Sequence, residues 1–249
     1  MKLSAVVVSH GHADEVDRLV PILAPQVDEL VLVENLPGSV RGAPARVLRN
    51  ERPLSFARNV NQGIEATSGD LVLVSNPDAV PEPDAVATLR AFMESHPSAG
   101  IAGPQLRWPD GRWQPSRRRF PTVTGTLVRR TPLRWLAGTY AQRAHYHLDE
   151  RHTEPVEADW LLGAFLLLRR EMLDELGGFD AGFRMYGEDI DLAYRAAHAG
   201  WERWYVPAAV VTHDYAAVVD RRFFTRHTWW HLRGMARFVR KHPERLRAL

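Results

Sequence analysis

The sequence predicts one α/β domain built on a mostly parallel sheet with helices on both faces. Two observations carry that expectation. Through the first 105 residues, short apolar runs alternate with segments of helical spacing, the rhythm of a parallel sheet with crossover helices. The length of 249 residues with 45% hydrophobic and 25% charged residues also suits one globular domain, with at most an appendage. Leu3–Val8, Glu29–Val33, Arg46–Leu48 and Asp70–Val74 read as strands, being rich in Val and Leu and bounded by turn residues. Asp14–Leu23, Phe56–Thr67 and Pro83–Ser95 read as helices, and Gly100–Gly103 as a fifth strand. Residues 1–105 and 106–220 form the two expected halves of that domain. A basic helical tail over 221–249 completes the chain.

After Gln105 the pattern loosens. Pro109-Asp110-Gly111 is a turn signal that predicts a hairpin between Gln105–Trp108 and Arg112–Gln114. Residues 117–154 read as loop with one short helix near Leu133–Ala137. Regular structure then resumes: strand Ala164–Leu168, helix Arg170–Leu176, helix Glu188–His198 and strand Val210–His213.

Composition excludes several classes. With no cysteine there is no disulfide, thiolate metal site or cysteine nucleophile. No apolar run reaches the ~18–20 residues of a membrane span, and Leu3–Val8 is too short for the core of a signal peptide, so a cytoplasmic protein is expected. The net charge of +2 hides an asymmetry. Residues 221–249 carry eight Arg and Lys241 against Glu244 alone, which leaves the first 220 residues six negative in net. A second basic block, Arg107 to Arg134, holds eight Arg against Asp110. Such segregation suits anions handled in defined places. No G-x-G-x-x-G follows the first strand, and neither a P-loop nor a G-x-S-x-G elbow occurs. Nucleic acid is disfavoured by the acidic body and the absence of any recognised nucleic-acid motif.

Chemistry-bearing residues gather at the expected strand ends, where open α/β sheets bind ligands. Ser9 ends strand one, Glu34 and Asn35 end strand two, and Arg58, Asn59 and Asn61 open the next helix. Asn76-Pro77-Asp78 follows the fourth strand and could hold a hard cation with room for phosphate oxygens, although Asx residues also cap such turns. Gly187-Glu188-Asp189-Ile190-Asp191 opens a helix. Three carboxylates there are favoured by the macrodipole, yet they repel one another, which leaves a general base as an equal reading. His213 leaves a strand end as a metal ligand or a packing residue, while a pair from His227 and His231 is disfavoured by its basic surroundings.

Together these pieces resemble the family 2 glycosyltransferases of GT-A fold over roughly residues 3 to 215. The likeness rests on VVVSH at 6–10, VLVEN at 31–35, SFARNVNQGI at 55–64, GDLVLVSNPDAVP at 69–81 and DGRWQPSRRRFPT at 110–122. It continues through WLLGAFLLLRREMLDELGGFD at 160–180, MYGEDIDLAYRAAHAGW at 185–201 and VPAAVVTH at 206–213. The NPD form and QPSRRRFP look most like the bacterial rhamnosyltransferase branch, which uses dTDP-L-rhamnose on polyprenyl-diphosphate sugar acceptors.

The resemblance implies a sugar transferase that inverts in a single displacement, using a dTDP- or UDP-sugar donor, a lipid-linked or glycan acceptor and Mn²⁺ or Mg²⁺. Asp78 matches the last Asp of the family's D-x-D motif, with Asn76 replacing the first. His213 matches the histidine completing the metal shell, and Asp189 the catalytic base, with Glu188 beside it. Ser9, Glu34 (usually Asp) and Asn35 match nucleotide-contacting positions. Trp160 and Gly163 match the wall beside donor sugar and acceptor, and Gly187 replaces a common aromatic residue. Arg117, Arg118 and Arg119 could grip an acceptor diphosphate. The tail, with Phe223, Phe224, Trp229, Trp230, Leu232, Met235 and Phe238 among its cations, resembles a helix lying on an anionic membrane. Its competing reading packs those aromatics onto the domain or onto a second subunit in a homodimer. A nucleotide-sugar-binding module without catalysis is the alternative to the enzyme.

Overall fold

In the computed structural model, residues 1–42, 44–121, 150–214 and 226–246 are described. The expected helix near Leu133–Ala137 and the aromatics Phe223 and Phe224 lie outside them. Leu3–Ser9 (β1) is buried at every position, because it sits in the middle of the sheet with both faces covered. Its odd positions Leu3, Ala5 and Val7 enter one core, and Val6 and Val8 enter the other. Glu29–Glu34 (β2), Arg46–Arg49 (β3) and Leu71–Ser75 (β4) join it in parallel, in the order β3-β2-β1-β4.

Ala13–Leu23 (α1) and Ala85–Ser95 (α3) close the first core through Val16, Leu19, Leu89 and Met93. Phe56–Glu65 (α2) closes the second, starting at the Ser55 N-cap, whose hydroxyl accepts the Arg58 N–H. The short strand Ala79–Pro81 (β5) follows the Asn76–Asp78 turn and forms the far edge of the sheet.

The second half makes the sheet mixed. Phe165–Arg169 (β11) inserts antiparallel between β4 and Ala99–Arg107 (β6). The expected strand at Gly100–Gly103 and the first arm of the hairpin are thus one nine-residue element. Trp113–Gln114 (β7) folds back on it antiparallel, confirming the hairpin around Asp110-Gly111. Arg117–Arg118 (β8) pairs with Trp160–Leu161 (β10), and Val156–Glu157 (β9) pairs with the last strand.

That last strand, Glu202–His213 (β12), is parallel to β6 and begins eight residues earlier than the sequence suggests. Glu202, Arg203 and Trp204 do not read as buried strand, because they are only half-buried and are held by pairing with β6 rather than by an apolar core.

Arg170–Leu176 (α4) and Glu188–His198 (α5) pack on the second core. The basic helix Arg226–Lys241 (α6) places Met235 and Phe238 in that same core, with Phe238 edge-on to Tyr194 at 5.5 Å between ring centroids. This part of the tail's apolar face therefore meets the domain and is not available to a membrane. Trp229 remains 64% exposed. The docking is reinforced by charge: Asp191, fully buried on α5, receives Arg195 at 2.7 Å, Lys241 at 2.9 Å and His242 at 2.9 Å. Asp180 holds Arg237 at 2.9 Å and Lys241 at 3.0 Å. Burial alone would raise the Asp180 pKa, but hydrogen bonds from the Gly182 N–H, Lys241 and Arg237 overcome it and hold the group at about 2.

Candidate active site

β1, β2 and β4 end side by side, so the residues that follow them gather at one sheet edge. At β4 the Asn76 N–H donates to the Ala164 carbonyl at 2.8 Å. One residue earlier, the Gly163 N–H donates to Asp189 Oδ2 at 3.1 Å. These two bonds tie the Asn76-Pro77-Asp78 turn and the first turn of α5 to neighbouring residues of one short connection, although the two carboxylates stand 111 positions apart in sequence.

On the β4 side, His213 at the end of β12 points Nε2 at Asp78 Oδ1, 3.6 Å away. Its Nδ1 lies 3.0 Å from Gln114 Oε1, an amide oxygen that assigns the proton to Nδ1 and turns the Nε2 lone pair toward Asp78. Ligands each ~2.0–2.2 Å from one cation stand about 3–4 Å apart, so this pair fits a shared divalent ion. Among the described residues no group of three or more His, Asp, Glu or Cys side chains gathers for a metal. The remaining coordination would have to come from a ligand's phosphate oxygens and water. Burial raises the Asp78 pKa against the pull of His213, and burial lowers that of His213 against the pull of Asp78. His12, which the sequence reading passed over, also acts on Asp78 electrostatically. Its place three residues past the end of β1 was the available signal.

On the α5 side, Tyr186 and Gly187 both adopt positive φ, 70° and 96°, before the helix begins. Glycine takes that conformation at no steric cost, but for tyrosine it is strained by ~1–3 kcal/mol. The turn sends Glu188 inward and leaves Asp189 half-buried. Asp189 Oδ1 accepts its neighbour's N–H, from Ile190 at 2.9 Å, while Oδ2 takes Gly163. Burial raises its pKa, opposed by those two hydrogen bonds and, less strongly, by the charge of Arg118. Glu188 is buried, and its Oε2 has no hydrogen-bond partner among the described residues. Burial, then the Asp189 charge, pushes its pKa up to about 8.

That shift predicts a stability effect with a definite sign. Between about pH 4.5 and 8 the folded chain binds the Glu188 proton while the unfolded chain has lost it, so stability falls as pH rises through this window. Glu188→Gln removes the liability, and its melting temperature should exceed the wild type's by more at pH 8 than at pH 5. A difference independent of pH would refute the assignment.

The other expected site residues divide into two groups. Trp160 is buried with its indole N–H on the Arg119 carbonyl at 2.7 Å, and Gly163 touches Asp189. Arg118 is buried in β8 opposite Trp160. Arg58 is exposed at the start of α2. Ser9, Glu34 and Asn35 occupy the strand ends as expected, but their side chains are turned inward. Ser9 Oγ donates to the Ser39 carbonyl at 2.8 Å. Glu34 accepts the Val40 N–H at 3.1 Å and pairs with Arg49 at 2.9 Å. Asn35 bridges His10 and Leu54.

Two more of these residues have partners within the domain. Asn61 spends its amide on both backbone groups of Phe179, at 2.8 and 2.9 Å, and so braces the chain there. Arg117 is engaged by Glu150 at 2.8 Å and by the Glu157 carbonyl.

The mixed α/β sheet, with Asp78 and His213 at one strand end and Asp189 at the start of α5, fits the GT-A glycosyltransferase fold. Residues 17–240 match the family described as Glycosyltransferase like family 2, and the chain belongs to that family. It is 31% identical over 250 residues to the N-acetylglucosaminyl-diphospho-decaprenol L-rhamnosyltransferase of Mycobacterium tuberculosis, covering 88% of this chain and 78% of the relative. To rhamnosyltransferase WbbL of Escherichia coli it is 27% identical, covering 94% and 91%. Among solved structures it superposes on GalNAc-T7 with UDP, GalNAc and Mn²⁺ at a TM-score of 0.66 and 18% identity, covering 86% of this chain and 43% of that one. It also superposes on the mannosyltransferase PcManGT of Pyrobaculum calidifontis with GDP-Man and Mn²⁺, at 0.60 and 18%, covering 96% and 64%. The protein is a family 2 glycosyltransferase, similar to the rhamnosyltransferases.

Proposed function

We propose that this glycosyltransferase moves L-rhamnose from dTDP-rhamnose to a hydroxyl of a polyprenyl-diphosphate-linked sugar acceptor, in one inverting displacement. The observation that supports the reading is the pair of bonds at Gly163 and Ala164, which tie the start of α5 and the turn before Asp78 to neighbouring residues of one short connection. Asp189 takes the proton from the acceptor hydroxyl as that oxygen bonds to the anomeric carbon. The bond from that carbon to the donor diphosphate breaks on the opposite face, its electron pair leaving with the diphosphate oxygen. Asp78 and His213 would hold a divalent cation, Mn²⁺ or Mg²⁺, which supplies Lewis-acid neutralisation of the departing diphosphate. Trp160 and Gly163 wall the space between donor sugar and acceptor. Trp229, 64% exposed on α6, is suited to peripheral contact with the inner membrane face.

The test is a thermal-shift screen of nucleoside diphosphates and their sugars with and without Mn²⁺. At a concentration of about 100 Kd a true ligand should raise the melting temperature by roughly 5–10 °C. The largest rise is expected for dTDP-rhamnose with Mn²⁺. Absence of response to every nucleotide would overturn the reading.

A further inference from the structure

A cavity of about 410 Å³ opens where α6 crosses the loop that leads into the catalytic helix. Arg184 and its neighbours 182–185 line one wall, and Trp230, Arg233, Arg237 and Arg240 line the other. Spacings of four and three put the last three arginines on one face of α6. Arg237 is anchored by Asp180, and its buried Nε has no partner among the described residues. Arg184 lies over the Trp230 ring at 4.9 Å. Among the described residues no carboxylate comes within 4.0 Å of Arg184, Arg233 or Arg240. Four guanidinium groups thus face one cavity with a single carboxylate between them, an arrangement that repels itself until an anion enters.

We infer that this cavity receives the diphosphate of the lipid-linked acceptor. Guanidinium forks match phosphate oxygens two at a time, and a diphosphate offers enough oxygens to engage several forks at once. The position suits an acceptor. Arg184 lies four residues before Glu188, and Phe183 and Met235 pack on Gly187 at the entrance to the catalytic turn. Arg184 also borders a neighbouring cavity lined by Arg52 and Arg58, so the arginine surface runs on toward the donor side. Trp229, exposed on the same helix, stands where the lipid end of such a molecule would meet the membrane. The inference rests on the proposed lipid-linked acceptor and adds to it the place where the diphosphate is held.

The test uses the full chain and the triple variant Arg184→Ala/Arg233→Ala/Arg240→Ala, whose side chains are all exposed. With the donor site filled by dTDP and Mn²⁺, inorganic pyrophosphate is titrated calorimetrically. The wild type should bind it saturably, and the triple variant at least about tenfold more weakly, with an unchanged melting temperature. In steady-state assays the acceptor KM should rise by a similar factor, about tenfold, while the donor KM moves less than about twofold. Lysines at the three positions should recover part of the loss. Pyrophosphate binding equal in both proteins overturns the inference. So does an unmoved acceptor KM, including the case where the variant loses only its binding to phosphatidylglycerol vesicles, which would make the cavity a membrane-headgroup site. A wild type that transfers no sugar from any donor would refute the proposed reaction, while the pyrophosphate titration would still decide whether the cavity binds a diphosphate.

Discussion

Asp189→Asn should lower kcat by about 10²–10⁴ while leaving donor affinity intact. The carboxylate is positioned by the Gly163 and Ile190 N–H groups, which its two oxygens accept separately. An amide keeps one acceptor and turns an N–H₂ toward the other donor, so the side chain reorients, and it cannot take a proton in any orientation. The Asp78–His213 pair, where the proposal puts the donor diphosphate, is untouched by the change. Pre-steady-state transfer and equilibrium binding of dTDP-rhamnose separate the two effects. Loss of turnover with retained binding supports the enzyme over a silent binding module, whereas a variant that still turns over within about threefold of the wild type removes Asp189 as the base.

The acid limb of the rate profile gives a second readout. Asp189 works only when ionised, and a neighbouring charge on Glu188 would make that ionisation harder. Burial raises the pKa of both acids, and pushes that of Glu188, which lies deeper, to about 8. Arg118 favours the charged form of Asp189. In the proposed mechanism the two adjacent acids divide the work, one buried and slow to lose its proton, the other the base.

The parallel half of the sheet was legible because β1, β2 and β4 are buried on both faces and so read as unbroken Val and Leu. The first half of β12 was not, since its residues are partly exposed and its place is set by β6. Asp78, Asp189 and His213 stood out as candidates because each sits at or just past a strand end or opens a helix within a recognisable local pattern. Gln114 was invisible in that sense: its value lies in meeting His213 across 99 positions, and nothing near it in sequence marks the contact. The brace between Asn61 and Phe179 was hidden for the same reason, its ends being 118 positions apart. The aromatic tail was ambiguous in principle, because a helix docking on a protein core and one lying on a membrane carry the same 3.6-residue periodicity. Only the contacts of Met235 and Phe238 divide its faces.

Gly234→Val should damage stability and catalysis together, because α6 holds the catalytic turn through this glycine. A Cβ at position 234 would overlap the carbonyl oxygen of Tyr186, a backbone atom that cannot swing aside as a side chain would. Tyr186 is already in the left-handed region at φ 70°, and Gly187 follows it at 96°, so the turn has little freedom to absorb a displacement. Nor can α6 retreat cheaply. Phe238 is fully buried, Arg237 and Lys241 hold Asp180, and Lys241 and His242 hold Asp191 inside α5. Overpacking of this kind costs about 1–3 kcal/mol, a fall in melting temperature of roughly 3–10 °C for a domain of this size. Whatever the clash does to Tyr186 passes to Glu188 and Asp189, two and three residues on, and displacing the proposed base costs rate more than binding. Thermal denaturation followed by circular dichroism, with kcat and dTDP affinity on the same preparation, checks each part. A variant with the wild type's melting temperature and turnover would mean that α6 does not press on the catalytic turn.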